Sequence, residues 1–135
     1  MKRLFFYGSL RRDEYNHQRF AKYLTHVADG HIKGAELIGG NGYPWVVPTT
    51  NDSNIVLGEV YDMDDKLFEL IEAMELGAGY KRKQVEVEIV VHGPEHDIDD
   101  VIDAEAYFYT QPADLDGLPR IASGDWTTRD KETNS

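Results

Sequence analysis

Three glutamates, Glu69, Glu72 and Glu75, recur at three-residue intervals in "DKLFELIEAMELG", a stretch whose apolar residues are spaced for a helix. Rotation along that helix separates them. With about 100° per residue and Leu67 set at zero, Leu70, Met74, Ile71 and Phe68 fall near 300°, 340°, 40° and 100°. They define an apolar stripe. Glu69 at about 200° and Glu72 at about 140° lie off it, whereas Glu75 at about 80° falls between Ile71 and Phe68. A carboxylate held against apolar walls loses hydration, so its pKa rises above the ordinary value of about 4.3. Such a group takes up and returns a proton near neutrality. The competing reading puts Glu75 at a frayed helix end beside Gly77, paired with Arg82 or Lys81.

A second candidate lies near the start of the chain, in "LFFYGSLRR". Leu4 to Tyr7 reads as a buried strand, and Gly8 marks a sharp exit from it. Glycine at a strand end lets backbone N–H groups converge on one point, and such a concavity attracts an anion or a carbonyl oxygen. Tyr7, Gly8, Ser9 and Leu10 are therefore candidate ligand contacts. Ser9 lacks the G-x-S-x-G setting of a nucleophile elbow, so a structural or backbone use fits it better. Arg11 and Arg12 read as exposed turn residues.

Other signals are weaker. "HGPEH", His92 to His96, has the H-x-x-E-H metal spacing, but Gly93-Pro94 would break the helix that chemistry needs, and no metal site is expected. Asp97, Asp99, Asp100 and Asp103 lack the glycine and closing glutamate of a calcium loop and read as a solvated acidic loop. Tyr43, Trp45, Tyr107 and Tyr109 are core or rim aromatics, any of which could wall a pocket.

The elements that must carry these residues follow from pattern and punctuation. Strands are expected over Arg3–Tyr7, a bent segment Val27–Ile38, Trp45–Val47, Ile55–Tyr61, Gln84–Val91 and Ala104–Tyr109. A short helix His17–Leu24 would be capped by Asn16, and the glutamate helix, Asp65 to Gly77, by Asp62 or Asp64. Gly58 inside a strand marks a bulge or a close approach. Beyond Thr110 the chain reads as loop and polar tail. Strands with two inserted helices imply an α+β class, a mixed barrel or curved sheet.

At 135 residues the chain fits one domain, expected over residues 1–126 with a polar tail at 127–135. It has no cysteine, which excludes disulfides, cysteine zinc sites and thiol nucleophiles. Twenty-five acidic against fourteen basic residues give a net charge of −11, and no basic cluster offsets it. Nucleic acid and anionic membranes are therefore not expected partners. Neither a signal-peptide core nor a membrane span is apparent, and a cytoplasmic protein is expected.

In combination, "YGSL" (Tyr7–Leu10), "NH" (Asn16-His17), "GYPWVVP" (Gly42–Pro48), "GEVYDM" (Gly58–Met63), the run from Leu70 to Arg82 and "SGDW" (Ser123–Trp126) resemble the gamma-glutamyl cyclotransferase-like, or AIG2-like, family. The layout is most similar to its gamma-glutamylamine cyclotransferase branch. The resemblance implies a small mixed β-barrel with flanking helices. It implies attack of a gamma-glutamyl α-amine on its own γ-carbonyl, releasing 5-oxoproline and an amine or amino acid, with no cofactor. On this resemblance Glu75 is the catalytic glutamate, with Glu72 the alternative in register. Tyr7, Gly8, Ser9 and Leu10 grip the small gamma-glutamyl substrate, and Tyr109 matches a pocket tyrosine. A non-catalytic ligand- or protein-binding module on the same fold is the competing function.

Overall fold

A computed structural model describes residues 2–8, 15–39, 44–51, 53–92, 97–110, 117–118, 120–121 and 124–125. Its first strand, β1 (Lys2–Phe6), alternates its side chains between two apolar environments, as the two-residue period requires. Phe5 points into the barrel interior, whereas Leu4 and Phe6 point outward beneath the long helix. After α1 (Tyr15–Phe20) and a 3-10 turn at Ala21–Tyr23 come β2 (Thr25–Lys33), β3 (Ala35–Gly39), β4 (Pro44–Pro48) and β5 (Ile55–Met63). Helix α2 (Asp65–Gly77) then leads into a long hairpin, β6 (Tyr80–His92) and β7 (Asp97–Tyr109).

Five strands close a barrel in the order β1-β5-β2-β6-β7, and β3 pairs with β4 in a separate two-stranded sheet. All neighbours are antiparallel except β7 and β1, which close the barrel in parallel at Leu4↔Glu105. That one parallel seam decides which strand ends meet. It brings the exit of β1, the end of β7 and the start of β6 to the same end of the barrel.

Two glycines permit close packing at particular points. A Cβ at Gly58 would collide with the Phe6 carbonyl and the Phe5 ring, so this position serves close approach. Gly34, at φ 71°, divides the extended segment expected over 27–38 into β2 and β3. The bulge in this region lies instead in β2, between His26 and Ala28.

Several expectations need correction. The Asp97–Asp103 stretch is not a loop: it pairs with β6 from His92↔Asp97 to Glu86↔Asp103, cross-strand hydrogen bonding overriding the poor strand propensity of aspartate. Helix α1 begins at Tyr15, so Asn16 falls within it rather than at its cap. Beyond Thr110 the chain still contributes to the fold, bridging Ile38↔Arg120 and bonding Ile121 N–H to the Leu37 carbonyl at 2.9 Å. No described helix is long and apolar enough to cross a membrane. The expected domain limit at residue 126 and the tail lie outside the described residues.

Candidate active site

Helix α2 is fixed at both ends. Asp64 caps it, its Oδ1 accepting from the Leu67 N–H at 2.9 Å. At the other end the Ala78 N–H donates to the Glu75 carbonyl at 3.1 Å, and Gly79, at φ 94°, turns the chain into β6. The last turn is therefore closed, not frayed. Leu67, Phe68 and Ile71 are buried against the barrel, while Leu70, expected on the same stripe, is 58 % exposed. The covered arc thus runs from Met74, partly buried at about 340°, to Phe68 at about 100°, narrower than the sequence suggested, and Glu75 at about 80° lies within it.

Burial pushes the Glu75 carboxyl from 4.5 up to about 7. It has no hydrogen-bond or ionic partner among the described residues. The expected competitor for it, Arg82, is engaged elsewhere. Its guanidinium donates to Glu72 Oε1 at 2.5 Å, lies 3.3 Å from Glu105 Oε2, and rests over the Phe68 ring at 4.8 Å from the centroid.

Tyr7 and Gly8, just past the end of β1, are both buried. The Tyr7 hydroxyl donates to the main-chain carbonyl of Tyr107 at 2.6 Å, anchoring the strand exit to β7. Burial first, then Tyr80, then the Glu75 charge hold the Tyr7 phenol well above its ordinary range. Tyr107 is pushed up to about 12, chiefly by burial and next by Glu72, with a smaller push from Glu75; Arg82 opposes the rise. Arg82 acts there through proximity only, because among the described residues the buried Tyr107 hydroxyl has no partner of hydrogen-bonding geometry. Tyr109 pairs across the strands with Tyr80, their ring centroids 5.6 Å apart, and meets Trp45 at 6.1 Å.

Glu75, Tyr7, Gly8 and Tyr109, singled out in the sequence, are thus carried to one end of the barrel by α2, β1 and β7. Ser9 and Leu10 lie outside the described residues. Two residues escaped the sequence reading. Tyr80 stands beside Tyr7 and Tyr109; its position directly after the helix-ending Gly79 was the available signal. Glu59 is 2 % exposed, accepts from the Tyr61 hydroxyl at 2.8 Å and pairs in register with Phe6. A charged residue inside the apolar strand "IVLGEVYDM" was its signal.

The arrangement offers a desolvated base, a glycine strand exit and an aromatic wall. A base that titrates near 7 exchanges protons with a bound amine at neutral pH. Among the described residues no three His, Asp or Glu gather in a way that could hold a metal ion, and the Gly93–His96 part of the metal-like spacing lies outside them.

Residues 4–128 match the family described as "Gamma-glutamyl cyclotransferase, AIG2-like". The chain belongs to that family. MJ1514 of Methanocaldococcus jannaschii is 33% identical over 127 residues, covering 93% of this chain and 96% of its own. YtfP of Escherichia coli, a gamma-glutamylcyclotransferase family protein, is 29% identical over 133 residues, 96% of this chain and 99% of its own. Its solution structure superposes with a TM-score of 0.63 over 95% of this chain and 98% of that one, at 32% identity. An AIG2-like protein from Mus musculus shares the fold at 21% identity, with a TM-score of 0.68 over 89% and 85% of the two chains. The α+β class and the barrel with flanking helices are those of this family.

Proposed function

We propose that this chain is a cytoplasmic gamma-glutamyl cyclotransferase acting on a small gamma-glutamyl amine or amide. The α-amine of the glutamyl group attacks its own γ-carbonyl carbon. A new C–N bond closes the five-membered ring, the bond to the leaving nitrogen breaks, and 5-oxoproline and an amine or amino acid are released. Glu75 takes the proton from the attacking amine and returns it to the leaving nitrogen, so no water or cofactor is consumed.

The observation that carries this reading is Glu75 itself: buried enough to titrate at about 7, without an ionic partner among the described residues, and at the barrel end where β1 exits. An ordinary surface glutamate would be fully ionised at pH 7 and a poor proton donor to a leaving amine. Backbone N–H groups at the Tyr7-Gly8-Ser9-Leu10 exit orient the glutamyl oxygens and stabilise the charge that develops on the γ-carbonyl oxygen. Tyr109 walls the substrate. Holding amine and carbonyl in the attacking geometry supplies much of the rate, since well-placed intramolecular reactions reach effective molarities of about 10⁵–10⁸ M.

The test is incubation with a panel of gamma-glutamyl amines and gamma-glutamyl amino acids, with 5-oxoproline detected by mass spectrometry. Release of 5-oxoproline from at least one supports the reading. Saturable binding of panel members with no 5-oxoproline from any of them overturns it in favour of a binding module.

A further inference from the structure

Glu75 and Glu72 are three residues apart on α2, so their side chains are neighbours, with about 5–6 Å between Cβ atoms. Arg82 reaches Glu72, one helical turn from Glu75, from β6. A guanidinium beside two carboxylates on one helix face would ordinarily stabilise both. Here it serves one. Its Nη1 bonds Glu72 at 2.5 Å, its Nε faces Glu105 of β7 at 3.3 Å, and its plane rests over Phe68 one turn before Glu72.

We propose that Glu72 and Glu105 are positioning residues that clamp Arg82 away from Glu75, keeping that carboxyl in its apolar recess without a cationic partner. The inference rests on the reading of Glu75 as the proton-transferring group and explains how that group escapes neutralisation by a cation held on the neighbouring helical turn. Three contacts hold Arg82: one carboxylate from the helix, one from the neighbouring strand, and the aromatic face between them. Guanidinium binds two carboxylates at once because its planar fork presents five donors in fixed directions, which a lysine cannot reproduce.

Burial alone raises Glu75, and the titratable groups around it among the described residues come from its own helix and from β1, β6 and β7. Tyr7 from the β1 exit and Tyr107 from β7 feel its charge; Tyr80 from β6 neighbours Tyr7; Glu72 from its own helix, Glu105 and Arg82 form the clamp. Tyr7 and Tyr107, both held above the ordinary phenol range, are neutral at pH 7, and the clamp carries two negative charges against one positive. Loosening it on the Glu72 side frees a cation one helical turn from Glu75. Removing Arg82 leaves two uncompensated carboxylates there instead. The two halves of one ion pair should therefore move Glu75 in opposite directions, and most of the Glu72 effect should need Arg82 to be present, which the loss of two independent charges would not require.

The experiment is 13C NMR titration of the Glu75 side-chain carboxyl in wild type, Glu72→Gln, Arg82→Met and the double variant, with kcat/KM followed against pH on the same samples. Glu72→Gln should shift the Glu75 midpoint down by roughly 0.5–1 pH unit, Arg82→Met should shift it up by a similar amount, and the double variant should stay close to Arg82→Met, because without the guanidinium Glu72 has nothing to hold. Glu69→Gln, on the far side of the helix, should shift it by less than about 0.2 unit. Should Arg82→Met not fold, Glu105→Gln replaces it, with a downward shift smaller than that of Glu72→Gln. A double variant whose shift is the sum of the two single shifts, or no shift in Glu72→Gln, would overturn the clamp. An NMR shift that the rate profile does not follow supports the clamp while removing Glu75 from the chemistry.

Discussion

The Tyr7 hydroxyl donates to the Tyr107 carbonyl at 2.6 Å, joining residues 100 apart in sequence at the barrel end that holds Glu75. Both partners are buried, and the bond sets where the chain leaves β1 to reach Gly8. The same strand residue, Tyr107, carries its own hydroxyl buried and without a hydrogen-bond partner among the described residues. The two hydroxyls therefore have opposite energetic signs.

Deleting the Tyr7 hydroxyl leaves a buried carbonyl unsatisfied, so Tyr7→Phe should lose about 1–3 kcal/mol of unfolding free energy. Tyr107→Phe removes only an unsatisfied group and should leave stability unchanged or slightly raised. Urea denaturation of both variants decides it. A Tyr107→Phe loss as large as that of Tyr7→Phe would mean its hydroxyl is satisfied in solution.

Glu75 makes stability depend on pH in a direction opposite to a salt-bridged acid. Its folded-state pKa of about 7 lies above the ordinary 4.5, so the folded chain holds more protons between those values. For this group stability is fully present below about pH 4.5 and falls as pH rises through 7. Glu75→Gln removes that dependence. The variant should therefore be more stable than wild type above pH 7, by up to about 3 kcal/mol, with the gap closing toward pH 4.5. Thermal melts of the two proteins at several pH values give the comparison, and curves that stay parallel from pH 4.5 to 8 would contradict a desolvated Glu75.

Gly58 and Gly77 should respond oppositely to alanine. A Cβ at Gly58 collides with the Phe6 carbonyl and the Phe5 ring, so Gly58→Ala should cost about 1–3 kcal/mol and displace the β1 exit. Gly77, within α2, has nothing within 4 Å of its would-be Cβ, so Gly77→Ala should stabilise by up to about 1 kcal/mol through helix propensity. Circular dichroism melts check both signs.

What the sequence disclosed was local. The bounds of α2 at Asp65 and Gly77 follow from a 3.6-residue period with an aspartate before it, and both are set within a few residues of chain. The inward angle of Glu75 comes from the same period. Which side of the helix would be covered did not: periodicity placed Leu70 on the apolar stripe, but the barrel covers the arc of Leu67, Ile71 and Phe68, leaving Leu70 to solvent. The aspartates at 97–103 read as loop because strand formation there depends on pairing with β6, a non-local term. The choice of Arg82 for Glu72 rather than Glu75 depends on how β6 crosses α2. The meeting of the β1 exit with Tyr80 and Tyr109 depends on the parallel seam at Leu4↔Glu105. Neither has a local signature.

The measurement closest to the central claim is kcat/KM for 5-oxoproline release between pH 5.5 and 9, for wild type and Glu75→Gln on the same gamma-glutamyl substrate. Wild-type activity should climb with pH along a lower limb whose midpoint lies at about 7. Glu75→Gln should remain folded, lose that limb, and fall by about 10²–10⁴-fold. A folded Glu75→Gln protein with wild-type rates and a wild-type profile would contradict the account.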